Sequence, residues 1–466
     1  MELNKRAVLI TVILTNFLTP FNGSSFNIAL PSIAAEYGLD AVTMSWTSLA
    51  YLLTSAMFLI PFGRIADMYG RKRVFLSGIT LFSISSALLA ILPSSSTVVI
   101  FRALQGVGSA MIFGTSLAIL VSVSTPNDRG RMLGISVAAV YVGLSAGPYI
   151  GGFLTENFGW RSIFFVNIGI GIAIILLTLI YIKIDWREQD QGKFDFIGSA
   201  TFSIMLLALM YGMSRLPDRA AILPIAIGLI MIGIFIHIEE NVDNPVLDLS
   251  IFRENLVYSL FNISALINFS ATFSLTFLLS MYLQYHKGLN AQAAGTILMA
   301  SPIIQSIMSP IAGRLSDRIA PTRLSWMGMG VTSIALAPLS LINGSTSITY
   351  IVVSLLILGL GLALFSSPNT NAIMGSVDRS LLGVASSTVG TMRLLGQMLS
   401  QGIAMTLIAI NLGSATIAPE LYPELLTSIR ITFTLFFLLC MLGTAAAFFG
   451  SSMTQRTRKE KVELGA

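Results

Sequence analysis

Charge is scarce in this sequence. Of 466 residues, 11% are Asp, Glu, Lys or Arg and 54% are hydrophobic, whereas soluble domains carry about a quarter charged residues; a membrane protein is what this leaves. The one cysteine, Cys440, sits inside an apolar run and rules out an internal disulfide. Neither of the two histidines, His237 and His286, stands in an HExxH motif or beside a Cys or carboxylate cluster, so no metal site and no metalloenzyme is expected. No GxxxxGK(S/T) phosphate loop occurs, which excludes a pump driven by ATP, and nothing asks for a cofactor. The polar segments between apolar runs are too short for the output domain of a sensor. No small-residue cleavage site closes the first apolar run, so the first span is expected to be retained.

What is present is long apolar runs. "VFLSGITLFSISSALLAILP" (74–93) and "ITFTLFFLLCMLGTAAAFFG" (431–450) have no ionisable group, and each is long enough to cross about 30 Å of hydrocarbon as a helix. Barrel strands alternate apolar and polar residues, and these runs do not. A window of about 19 residues gives fourteen spans: 6–29, 43–62, 74–93, 97–121, 132–154, 162–183, 196–214, 220–238, 256–282, 292–312, 324–343, 347–370, 381–409 and 427–450. With the N-terminus in the cytoplasm, 20 of the 27 Lys and Arg fall on inside segments and five on outside ones. The positive-inside rule then places both termini in the cytoplasm of a multi-pass cell-membrane protein. The net charge of +5 reflects that topology and contact with anionic lipid rather than nucleic acid.

One charged phrase occurs twice. "GRIADMYGRKR" (63–73) follows span 2, and "GRLSDRIAPTR" (313–323) follows span 10. If spans 1–6 and 9–14 are related halves, the phrase closes the second helix of each, and spans 7 and 8 are an insertion. The expected fold is all-α: fourteen transmembrane helices in two six-helix halves, 1–183 and 256–452, with inserted helices in 184–255 and a cytoplasmic tail at 453–466. Duplicated bundles are the usual build of secondary transporters, with the small-molecule site at the repeat interface near the midplane.

Five stretches carry a family resemblance across nearly the whole chain. The first phrase resembles the loop signature of the major facilitator superfamily. "RALQGVGSA" (102–110) resembles its arginine motif in helix 4, and "GLSAGPYIGG" (143–152) matches the helix 5 motif of its antiporters position for position. "YLQYHKGLNAQAAG" (282–295) and "TMRLLGQ" (391–397) are similar to the fourteen-helix drug/proton antiporter branch. The resemblance implies the major facilitator fold and efflux of drugs or other amphipathic compounds by alternating access in a monomer. It also implies that the loops, through Gly63, Arg64, Asp67, Gly70, Arg71 and Arg73, latch the halves together. The second copy offers Gly313, Arg314 and Asp317, and departs from the pattern at Ala320 and Pro321.

On physical grounds Gly63 suits a tight turn after span 2, and Asp67 a cap or an ion pair; charges that merely set topology are the alternative. Gly143, Gly147 and Gly151 recur every four residues, beside Gly152 and Pro148, and suit either close helix packing or a bendable gate. In-membrane arginines are costly: Arg102 is near enough to a span end to reach outward, whereas Arg393 is deep in span 13 and must face inward. Asn22, Trp46, Tyr51, Gln105, Tyr141, Asn268 and Gln397 are candidate cavity residues, with Asn16, Asn27, Asn262 and Gln401 as further polar positions; helix-packing hydrogen bonds are the alternative for each. The resemblance calls for an Asp ahead of "NIALP" (27–31) in span 1, where this chain has Asn22. No acid lies inside a span; Glu156, near the outer face, is the one coupling candidate. The alternative function is export or facilitation of a single metabolite without proton coupling.

Overall fold

The computed structural model describes residues 5–91, 94–123, 129–187, 195–242, 249–316, 318–377, 381–413 and 415–464; Asp317 of the second loop lies outside them. The helices are α1 Lys5–Tyr37, α2 Ala41–Tyr69, α3 Arg71–Ile91, α4 Ser95–Val123, α5 Arg129–Phe158, α6 Arg161–Tyr181, α7 Phe196–Ser214, α8 Ile222–Glu239 and a short α9 Leu249–Glu254. They continue as α10 Leu256–Thr272, α11 Leu275–Met281, α12 Ala291–Leu298, α13 Ala300–Leu315, α14 Pro321–Ser340, α15 Ile348–Met374, α16 Leu382–Leu412 and α17 Tyr422–Leu464. Short polar side chains start several of them by bonding first-turn amides. Asp40 accepts from Val42 and Thr43 at α2, Asn255 from Tyr258 at α10, and Asn290 from Ala293 at α12.

Among the described residues, twelve helical segments are long and apolar enough to cross a membrane. The expected spans at 132–154 and 324–343 lie outside that set but are also helical, as α5 and α14, so the chain has twelve to fourteen candidate crossings. The structure departs from the expectation in three places. Span 9 breaks into α10 and α11 at Phe273–Ser274, where the amide of Ser274 is taken up by Ser400 Oγ of α16 at 3.0 Å. Span 10 breaks at Met299 into α12 and α13. The last helix runs on to Leu464 through the expected tail.

The helices pack in two groups with the same internal plan. In the first, α1 packs on α5 and α6, α2 on α4, and α3 on α4 and α6; in the second, α10 packs on α16 and α17, α13 on α15, and α14 on α15 and α17. Counting α10–α11 and α12–α13 as one position each, the pairings are 1–5, 1–6, 2–4, 3–4 and 3–6 in both. The groups meet reciprocally, α2 on α16 and α5 on α12 and α13, so position 2 of each lies against position 5 of the other. The α7–α8 hairpin rests through α7 on α2 and α16. Exposed apolar side chains such as Ile172, Leu176, Ile230 and Leu442 face outward toward lipid. Because lipid is as apolar as these surfaces, helix contact rests on close backbone approach rather than on the hydrophobic effect.

One end of the bundle carries the repeated loops and is called here the basic end. At the opposite, far end the groups are bonded to each other. Ala41 donates its amide to the Ala415 carbonyl at 3.1 Å beside an antiparallel bridge between Asp40 and Thr416. Ser280 Oγ and Gln284 Nε2 each donate at 3.0 Å to α1 carbonyls, those of Asn27 and Ile28. Toward the basic end packing loosens: most of α2 from Ala41 to Ala56 is buried, whereas Met57 to Ile65 is only half-buried.

Candidate transport site

The polar residues of the first group converge on one buried arginine. Arg102 lies seven residues into α4 and is 2% exposed, so it does not reach outward. Its Nε donates to the Thr47 carbonyl at 3.1 Å and its Nη1 to Gln105 Oε1 at 2.5 Å. The guanidinium lies 4.0 Å from the Phe26 ring centre and 4.4 Å from that of Tyr51, a double cation–π contact. Gln105 Nε2 donates to Ser86 at 2.9 Å and pairs with Asn22, whose Oδ1 also accepts from Asn167 at 2.8 Å. Tyr51 bonds Ser109 at 2.8 Å. No carboxylate belongs to this network. A buried charge so placed is held by neutral dipoles and π faces alone.

The second arginine lies at the seam between the groups. Arg393 of α16 is half-buried, and its titratable neighbour is Tyr141 of α5 in the opposite group. The Tyr141 hydroxyl also faces Ser309 of α13 and Ser366 of α15, so this one side chain reaches across the seam. On α16, Gly396 touches α10 and Ser400 the break between α10 and α11, while Leu394 and Met398 pack with α2 and α7. Arg393, Gln397 and Gln401, four residues apart, form the face between those two edges.

Glycines set the helix spacing around the site. A Cβ on Gly143, Gly147 or Gly151 would run into Phe17, Ser24 or Ser25 of α1, which fixes α5 against α1. One on Gly152 would meet the Ala291 carbonyl of α12, and one on Gly295 the Pro148 carbonyl of α5. The motif therefore serves two contacts, one within its group and one across the far-end seam.

The sequence profile described as the Major Facilitator Superfamily matches residues 12–401 and again 263–464. The chain belongs to that superfamily. It is 29% identical to the riboflavin transporter RibZ of Clostridioides difficile (strain 630) over 88% of this chain and 89% of the relative. It is 29% identical to the multidrug resistance protein Stp of Mycobacterium tuberculosis (89% and 78%), and 26% to the tetracenomycin C resistance and export protein of Streptomyces glaucescens (85% and 74%). Among solved structures it is similar to a bacterial homolog of the human lysosomal transporter Spinster in an inward-facing, unoccupied conformation, with TM-score 0.68 at 15% identity over 96% of this chain and 97% of that one. It is also similar to the POT family transporter PepTSo, with TM-score 0.69 at 13% identity over 97% and 98%. Like other superfamily members, it is a membrane transporter and not an enzyme.

Against that background the candidate residues sort by place. Asn22, Tyr51, Gln105 and Arg102 are brought together; Tyr141, Arg393 and Gln397 belong to the seam. Trp46 packs with the apolar cluster between α2, α7 and α16, and Asn268 donates to Met329 Sδ at 3.4 Å within the second group, so both stand apart from the arginines. Glu156 is exposed near the far end of α5, away from either arginine network. Asn167 and Ser86 were missed; a lone Asn in the otherwise apolar α6 is the signal that could have found the first.

The first loop corrects the expectation for Gly63. It lies inside α2, where its backbone closely approaches Gly114 of α4, and the turn falls at Gly70, with φ of 117°. Asp67 pairs with Arg71 at 2.7 Å, and Arg71 donates to Ser122 of α4 at 3.0 Å. Asp185, beyond α6, accepts from the Lys72 amide at 3.0 Å and pairs with Arg73 at 3.2 Å, a carboxylate on the amino end of α3. Gly313 likewise lies inside α13, near Ser367 of α15, with Arg314 one residue on. In the second loop Ser316 is bonded by Asn371 of α15 at 2.8 Å, so in each group the loop after position 2 is tied to position 4.

Proposed function

We propose that this transporter is a secondary active exporter of small amphipathic compounds, working in the cell membrane as a monomer, without ATP and with both termini in the cytoplasm. The observation that carries this reading is the reciprocal seam: position 2 of each group against position 5 of the other, around a face bearing Arg393 and Tyr141, bonded at the far end and loose at the basic end. If the basic end is cytoplasmic, this is an inward-open arrangement, and rocking the groups about the seam exposes the same face outside. The glycine contact of Gly152 and Gly295 with the opposite group is then the outer gate. The Asp67 and Arg71 loop latches the other side of the cycle. The relatives named for multidrug resistance and tetracenomycin C export support the export direction.

A second reading, export of one metabolite without proton coupling, is favoured by the neutral Asn22 network, which puts an amide where proton-coupled relatives are expected to carry an acid, and by the relative named as a riboflavin transporter. Dye efflux and drug susceptibility in a host stripped of its own pumps, with and without an uncoupler, separate the two. Broad efflux that collapses with the proton gradient supports the first reading. Transport of a single solute that survives the uncoupler supports the second.

A further inference from the structure

The two mid-bundle arginines differ in what remains for a ligand. Arg102 is enclosed, its guanidinium occupied by Gln105, the Thr47 carbonyl and two rings. Arg393 is half-buried at the seam; among the described residues, none of the ion pairs involves it and Tyr141 is its titratable neighbour. Two turns farther along the same face stands Gln401, 0% exposed, with neither its amide nitrogen nor its oxygen partnered. Leaving a buried amide unpaired is unfavourable unless something else fills its bonds in another state of the cycle.

We infer that the Arg393, Gln397 and Gln401 face of α16, with Tyr141 opposite, is an oxyanion subsite, and that the substrate is an amphipathic compound bearing a carboxylate, phenolate or similar anionic oxygen. The inference rests on the export reading and names its substrate class. A guanidinium offers a planar fork of donors that matches such an oxygen, and the Tyr141 hydroxyl adds another. Eight residues of helix, about 12 Å, separate Arg393 from Gln401, room for a ring system whose donor–acceptor edge meets the amide when the seam opens. Permanent cations are disfavoured, because both in-membrane charges are positive and a cation gains no partner there for its lost hydration.

The test uses two xanthene dyes of one ring system: dianionic fluorescein and a permanently cationic rhodamine ester. Binding to the purified full-length protein in nanodiscs is followed by fluorescence polarisation. Fluorescein is expected to bind at least about tenfold tighter, the ratio that about 1.4 kcal/mol gives. Arg393→Gln removes the preference, whereas Arg393→Lys keeps its sign while weakening binding; Gln401→Met weakens fluorescein and leaves the rhodamine unchanged. Equal binding of both dyes, tighter rhodamine, binding of neither, or a preference that survives Arg393→Gln overturns the subsite. Efflux from cells is read separately: rhodamine pumped as well as fluorescein overturns the subsite and leaves export standing, and fluorescein bound by the protein yet never extruded supports the subsite and overturns export.

Discussion

Arg102 shows how a charge with no counter-ion is kept inside a membrane protein. Its donors meet a carbonyl and an amide oxygen, and its faces meet two rings. An ammonium cannot make that planar sandwich and both bonds at once. Arg102→Lys is therefore expected to lower transport by about tenfold or more, with protein in the membrane near normal, as read by uptake into vesicles alongside quantitative immunoblotting. Asp67 is a gentler case for stability, because its partner Arg71 lies on the adjacent helix in a half-exposed loop and such pairs contribute at most about 1 kcal/mol. Asp67→Asn should leave expression and insertion unchanged and cut transport strongly if the loop latches the cycle; unaltered transport would leave the charge a topological signal only. The arginines were legible in the sequence because charge in a span is costly enough to need a reason. Asn167 and Ser86 were not, since their place in the network depends on which helices α3 and α6 face, and hydropathy does not encode that.

At the scale of helices, the glycines of α5 make the clearest demand. A side chain at position 147 overlaps Ser24 within the first group, and one at 152 overlaps the backbone of α12 across the seam, so the same substitution should fail in two ways. Gly147→Val should destabilise the protein by about 1–3 kcal/mol, the usual cost of overpacking, seen as a lower unfolding temperature in detergent. Gly152→Val should spare the unfolding temperature more and wedge the far end open, raising labelling of a cysteine placed at Ser280 by a membrane-impermeant maleimide. Equal labelling with and without Gly152→Val would remove Gly152 from the seal. The motif's spacing was readable, but its division between two partners was not. Gly63 makes the same point, since glycine serves a turn and a close helix crossing equally and only the neighbour, Gly114, distinguishes them. The breaks at Phe273–Ser274 and Met299 were hidden because hydropathy runs on through them, and the freed amide of Ser274 is satisfied by Ser400 on another helix.

For the whole molecule, the repeated charged phrase was enough to suggest duplication, and the equal pairing plan of the two groups is what that duplication looks like in three dimensions. Orientation rests on the skew of basic residues. A cysteine at Ser452, exposed on α17 just past the apolar run 431–450, should resist an impermeant reagent in intact cells and react after permeabilisation; labelling in intact cells would reverse the topology. The central claim is that the far end must open for transport. Asp40 and Thr416 form an antiparallel bridge between the groups there, and paired Cα atoms in such bridges lie about 4.5–5.5 Å apart, within the about 4.4–6.8 Å that a disulfide spans. The decisive measurement is transport by the Asp40→Cys, Thr416→Cys protein carrying Cys440→Ser, oxidised and then reduced, beside the Asp40→Cys single variant. Transport should stop when the pair is oxidised and return on reduction, while the single variant is indifferent to both; undiminished transport by fully cross-linked protein would contradict alternating access across this seam.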